Sequence, residues 1–109
     1  MYEYNARVTE VYDGDTITVS FDLGLNIWSL DQKIRLYGID TPEMRGDEKA
    51  SGTVVRDYVR SRILGRRIRI KTFKDKTGKY GRWLGLIFID GMNLNEELIE
   101  KGYAERAEY

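Results

Sequence analysis

The sequence predicts a mainly β fold with helices (α+β) in a single domain, residues 1–109, and three observations carry that prediction. Runs rich in Val, Ile, Thr and Tyr alternate with polar residues at the two-residue period of half-buried strands. Residues 48–64 change to a helical period. A length of 109 residues with 41% hydrophobic content supports one core and no second.

Residues 8–12 and 16–21 form the first two predicted strands, and Asp13-Gly14-Asp15 between them is a turn signal. Asp22-Leu23-Gly24 breaks the second run. Residues 27–39 resume an extended pattern, in which Ile34 and Leu36 alternate with Lys33 and Arg35. Pro42 ends it, because proline lacks the ladder donor and restricts the residue before it. From Glu48 to Leu64, Ala50, Val54, Val55, Tyr58, Val59 and Ile63 recur at helical spacing, with Arg56, Asp57, Arg60 and Arg62 on the other side. Gly65 stands where a helix stop is expected.

Ile68, Ile70, Thr72 and Phe73 mark the fourth strand, with Arg67, Arg69 and Lys71 on its alternate face. Residues 75–79 make a loop, and residues 84–89 form the fifth strand, closed by Asp90-Gly91. Asn93 followed by Glu96 is a capping arrangement for a short helix through Lys101, which Gly102 can end. Five short strands, a helix between the third and fourth and a short helix after the fifth fit the five-stranded Greek-key barrel of the OB-fold. An SH3-like barrel is the competitor, although a full helix between its strands would be unusual.

The chain has no histidine and no cysteine. That excludes disulfides, zinc fingers, thiol nucleophiles and Ser-His-Asp triads, and leaves carboxylates, Arg, Lys, Tyr or a hard oxygen-bound metal to carry any chemistry. No apolar run approaches the ~20 residues of a membrane span, and residues 1–20 lack the layout of a secretory signal, so the chain reads as soluble with no membrane partner. Absence of cysteine fits the cytosol, though a mature secreted protein can lack it too.

The 18 basic and 18 acidic residues balance, but they are segregated. Residues 1–55 sum to −5, residues 56–82 to +9 and residues 83–109 to −4. Such asymmetry suits a surface that meets a polyanion, and it also suits the solvent face of a strand.

Two acidic clusters, Asp13-Gly14-Asp15-Thr16 and Asp40-Thr41-Pro42-Glu43, each end a predicted strand, where turns could aim carboxylates into one pocket. Taken singly, each is also ordinary turn chemistry. One carboxylate from each cluster, a backbone carbonyl and waters would satisfy a hard divalent cation. Arg35 and Arg82 are a second constellation, since a planar guanidinium binds two phosphate oxygens in one fork.

The strings VYDGDTITV, IRLYGIDTPE and KYGRWLGLIFIDGMNLNEELIEKGYAE, in that order with a helix between the second and third, resemble the staphylococcal nuclease (thermonuclease) family. The resemblance spans residues 5–108. It implies calcium binding by Asp15, Asp40 and the main-chain carbonyl of Thr41. It further implies Glu43 as the general base that activates water, and Arg35 and Arg82 as the arginines that bind phosphate and stabilise the transition state. Asp13 would support the metal ligands from behind, and Lys79 and Tyr80 would contact substrate phosphate. Tyr103 and Tyr109 are candidates for stacking on a base.

The chain departs from the staphylococcal pattern in three places. The connection from Phe21 to Lys33 is longer, with Leu25, Ile27, Trp28 and Leu30 able to form an extended hairpin or a contact surface. The segment between Glu43 and the helix is shorter and contains Arg45. The third, C-terminal helix of the family is absent, so the surface it covers would be covered by a second copy in a homodimer, by the Trp28 region, or left exposed.

The expected activity is calcium-dependent hydrolysis of DNA and RNA with little sequence preference. The alternative is a catalytically silent OB module that binds nucleic acid or protein. A structural interaction domain built on the Trp28 hairpin is the third reading.

Overall fold

A computed structural model describes residues 2–74 and 83–107. The first strand, β1 (Tyr2–Val11), starts well before the predicted residue 8. The reason is pairing: residues Tyr2 to Arg7 run antiparallel against Thr72 to Arg67 of the later strand β5 (Arg67–Lys74). A sequence reading of residues 2–7 sees mixed polar residues, whereas the sheet sees Ala6 and Val8 turned inward and buried.

β2 (Thr16–Asp22) pairs antiparallel with β1 across the Asp13-Gly14-Asp15 turn. β3 (Trp28–Leu36) pairs back on β2 as far as Asp22 opposite Trp28, so the long connection is an extended hairpin. Its tip leaves Leu23, Leu25, Ile27 and Leu30 exposed. The predicted run through residue 39 is interrupted at Tyr37-Gly38, where Gly38 takes φ +79°. A two-residue strand, β4 (Ile39–Asp40), then follows and pairs with β8 (Glu105–Arg106) near the end of the chain.

The helix α1 (Lys49–Ile63) follows one 3₁₀ turn at Gly46–Glu48. Gly52, Val55, Val59 and Ile63 face the core, while Val54 of the predicted stripe is exposed. The stripe is displaced because the helix approaches the Pro42–Glu43 backbone at Gly52, where no side chain fits. β6 (Trp83–Ile89) pairs antiparallel with β5, and the short β7 (Met92–Asn93) folds back on it. α2 (Leu94–Glu100) is capped as its sequence requires, the Asn93 side chain accepting from the Glu96 N–H.

The protein is therefore mainly β with two α-helices. Strands β1, β2, β3, β6 and β5 form a closed ring of hydrogen bonds. The ring is not a regular barrel. Its closing pair, β3 with β6, is parallel and holds only three residue pairs, and register shifts interrupt both β1–β2 and β2–β3. Fully buried Ile17, Val19, Ile34, Leu36, Ile70 and Ile87 fill the ring, and Val59, Ile63 and Leu98 close the core from the helices.

Two buried polar groups organise this frame. Asn95 accepts from the Ile87 N–H at 3.0 Å and donates to the carbonyls of Tyr37 and Gly85, at 2.8 and 3.0 Å, tying α2 to the place where β6 meets the end of β3. The Glu97 carboxylate on α2 accepts two bonds of 2.9 Å from Arg62 on α1 and a short one from the Tyr58 hydroxyl. No helix among the described residues is long and apolar enough to cross a membrane.

Candidate active site

The turn between β1 and β2 is built by its own side chain: the Asp13 Oδ1 accepts from the Asp15 N–H at 3.0 Å, an Asx-type turn. Gly14 lets the surroundings close on it. A Cβ there would lie 2.5 Å from Val55 Cγ1 of α1 and 2.9 Å from Thr41 Oγ1. The helix and the second acidic cluster thus pack directly against the first.

Asp15 is buried, and its carbonyl accepts from the Leu36 N–H at 2.8 Å. Its carboxylate accepts from the Thr41 N–H at 3.2 Å and from the Thr16 hydroxyl at 3.3 Å. Arg35 lies opposite Thr16 in the β2–β3 register, which sets its guanidinium beside Asp15, Nη1 to Oδ2 at 3.0 Å. The other terminal nitrogen donates to the Ile39 carbonyl at 3.3 Å and, by a short bond, to the Asp40 carboxylate. One planar fork therefore holds a carboxylate from each acidic cluster, as its geometry allows.

Glu43 stands at the same cleft with an exposed carboxylate, and Arg45 Nε donates to its Oε2 at 3.1 Å. The cleft has a volume of about 1150 Å³ and is lined by Asp13, Asp15, Arg35, Asp40, Glu43 and Tyr103 among others. Burial, reinforced by the neighbouring Asp15, pushes the Asp13 carboxyl up to about 6.

The oxygen donors fit a hard divalent ion. Asp15 and Asp40 share the two arms of the Arg35 fork, and Thr41, which would add its carbonyl, also has a buried hydroxyl oxygen with no hydrogen-bond partner. Among the described residues no group of three or more His, Cys, Asp or Glu side chains gathers, so a cation would rest on two carboxylates, the Thr41 carbonyl and water.

Asp13, Asp15, Arg35, Asp40, Thr41 and Glu43 are thus brought together around one cleft. Tyr103 reaches its rim, with its ring 4.8 Å from that of Tyr58. Lys79, Tyr80, Arg82 and Tyr109 lie outside the described residues. Sequence reasoning noted Arg45 as a near neighbour of Glu43 without pairing the two, and it missed Gly52. A Cβ on Gly52 would meet the Glu43 carbonyl oxygen at 2.3 Å and that of Pro42 at 2.9 Å. Its one sequence signal is a glycine inside a helical stripe, which is unfavourable unless close approach requires it.

The chain is similar to several known proteins. It is 32% identical to an uncharacterized protein of Methanocaldococcus jannaschii, over 93% of this chain and 58% of that protein. It is 28% identical to the thermonuclease of Staphylococcus hyicus, over 98% of this chain and 62% of the relative, and 34% identical to an uncharacterized endonuclease of Escherichia coli O157:H7, over 94% and 60%. The chain spans about three fifths of the length of these relatives. The sequence model described as "Staphylococcal nuclease homologue" matches residues 33–109, a stretch that includes Arg35, Asp40 and Glu43 of the cleft, and the chain belongs to the staphylococcal nuclease family.

Proposed function

We propose that this chain is a calcium-dependent phosphodiesterase that hydrolyses DNA and RNA with low sequence specificity and leaves 3′-phosphorylated ends. The observation that supports it most is the convergence of Asp15, Arg35 and Asp40 beside Glu43 in one open cleft. The ring of strands is read as an irregular OB-type Greek-key barrel, with the cleft at the mouth where the β1–β2 turn meets the residues after β4.

Asp15, Asp40 and the Thr41 carbonyl would hold the cation, and Asp13 supports them through the Asp15 N–H. Calcium, when bound, supplies charge neutralisation and polarisation of a phosphoryl oxygen. Arg35 then turns its fork from carboxylates to substrate phosphate, and Arg82 supplies the second guanidinium. Both stabilise the equatorial oxygens as their charge grows. Glu43 takes the proton of the attacking water. Lys79 and Tyr80 are assigned to substrate phosphate. A silent binding module would be free to lose Asp15, Arg35, Asp40, Glu43 and Arg82, and all five are present.

The test is digestion of single- and double-stranded DNA and of RNA with Ca²⁺, with other divalent ions and with chelator, beside Glu43→Ala and Arg35→Ala. Rates should fall by about 10²–10³ or more in each variant, and to background in chelator. Robust cleavage that survives both substitutions, or full chelation, overturns the assignment.

A further inference from the structure

Among the described residues of the basic stretch, 56–74, the cations do not share one surface. Arg56, Arg60, Arg62 and Arg66 are matched to Asp57, Glu10, Glu97 and Asp90 at 3.1, 3.7, 2.9 and 3.1 Å. What remains on β5 is different. Arg67, Arg69 and Lys71 alternate with buried Ile68, Ile70 and Thr72, so all three leave the outer face of the ring.

The β1–β5 register sets Arg7 directly opposite Arg67, and neither has a carboxylate ion pair among the described residues. Like charges opposed across a sheet destabilise it. Arg69, in the next outward row, reaches Glu3 at 3.4 Å. Aromatic rings border the cations, with the Arg67 Cζ 6.0 Å from the Trp28 ring centre and the Lys71 Nζ 5.5 Å from that of Phe88. A shallow hollow of about 240 Å³ runs past Asn5, Arg67, Arg69 and Phe88, and its lining shares no residue with the cleft. The acids at its edge are engaged: Asp90 with Arg66, Glu3 with Arg69, and Asp22 with the Gly24 N–H.

We propose that this outer face, centred on Arg7 and Arg67 and extended by Lys71, is a second contact for the phosphodiester backbone of nucleic acid, separate from the cleft. The choice of occupant rests on the nuclease reading above and on charge complementarity. Two arginines that face each other in the strand register, with no carboxylate ion pair among the described residues, are like charges a phosphate would offset. Contacts of this kind position a polymer without reading its bases.

The experiment compares wild type with Arg7→Glu/Arg67→Glu on two substrates, a 30-nucleotide DNA and a chromogenic mononucleotide phosphodiester too small to span both sites. Affinity for the 30-nucleotide DNA is also measured across a salt series. The double variant should lose on the order of tenfold in kcat/KM on the polymer, keep its rate on the small ester, and show a salt slope lower by about 1.5. The single variant Arg7→Glu should melt no lower than wild type, because it turns a like-charge pair into an attractive one.

An unchanged polymer rate and salt slope, or an equal loss on both substrates, overturns the proposal. So does loss of binding to anionic lipid vesicles or to polyglutamate with DNA affinity intact. The affinity measurement needs no hydrolysis, so it decides the question even if the wild-type protein cleaves neither substrate.

Discussion

Arg35 holds Asp15 and Asp40 in one fork while being only partly exposed, so its geometry as well as its charge matters. An ammonium is a point charge and can neither bridge the two carboxylates nor bind two phosphate oxygens in one plane. Arg35→Lys should therefore keep the fold but lower the rate of DNA cleavage by about 10²-fold or more, measured as initial rate at saturating Ca²⁺. The Arg45–Glu43 pair lies at the other extreme, with Arg45 85% and Glu43 61% exposed. Arg45→Ala should shift unfolding free energy by less than about 0.5 kcal/mol in a urea titration, since pairs this exposed contribute little. The acidic clusters stood out because strand ends and turn signals bracket them, and Arg35 because a guanidinium interrupts an apolar strand five residues before Asp40. That Arg35 touches both clusters was not, because it depends on the β2–β3 register and on the break at Gly38.

Gly52 shows what an element can conceal. In an exposed helix interior, Gly→Ala stabilises by about 1 kcal/mol through helix propensity. Here the added methyl would meet the backbone oxygens of Glu43 and Pro42, which cannot turn aside as a side chain can. The clash should win. Gly52→Ala is expected to lower the melting temperature and, by displacing the Glu43 segment, to reduce kcat more than substrate affinity, which single-turnover and binding measurements separate. The helix itself was readable from its period, yet its buried stripe runs through Gly52 in place of Val54, since residue type alone does not show which neighbour comes close. The pairs β4–β8 and β6–β7 hold two residues per strand and carry no period at all. The start of β1 was likewise hidden until β5 supplied its partner.

At the scale of the whole molecule, the Glu97 carboxylate joins the two helices. Hydrogen bonds from Arg62, then from the Tyr58 hydroxyl, hold its pKa below the ordinary 4.5 against the opposing effect of burial. A depressed carboxylate pKa adds stability above the unfolded value and loses it as pH falls through the folded one. Wild type should thus weaken as pH drops below about 4.5, and Glu97→Gln should lack that part of the acid limb. At pH 7 the same substitution removes the 2.9 Å bridge and leaves Arg62 only its longer contact with Asp90 at 3.9 Å, and should cost about 1–3 kcal/mol, read from urea midpoints at pH 7, 4 and 3. The overall strand and helix order was legible in the sequence. The Arg62–Glu97 bridge was not, for Arg62 reads as one more surface cation in a basic stretch.

The parallel pairing of β3 with β6 also implies an order of events in folding. Asp15, Arg35 and Asp40 belong to consecutive hairpin-linked segments near the start of the chain, whereas the ring closes between Ile34 and Trp83, about fifty residues apart in sequence. During synthesis the carboxylate and guanidinium partners can meet long before the strand that shuts the ring has been made. A chain cut short before β6 would contain Asp13, Asp15, Arg35, Asp40 and Glu43 without the strand that pairs Arg35 with Leu84. Refolding speed should accordingly respond to changes along β6 more than to changes in the turn that carries Asp13 and Asp15.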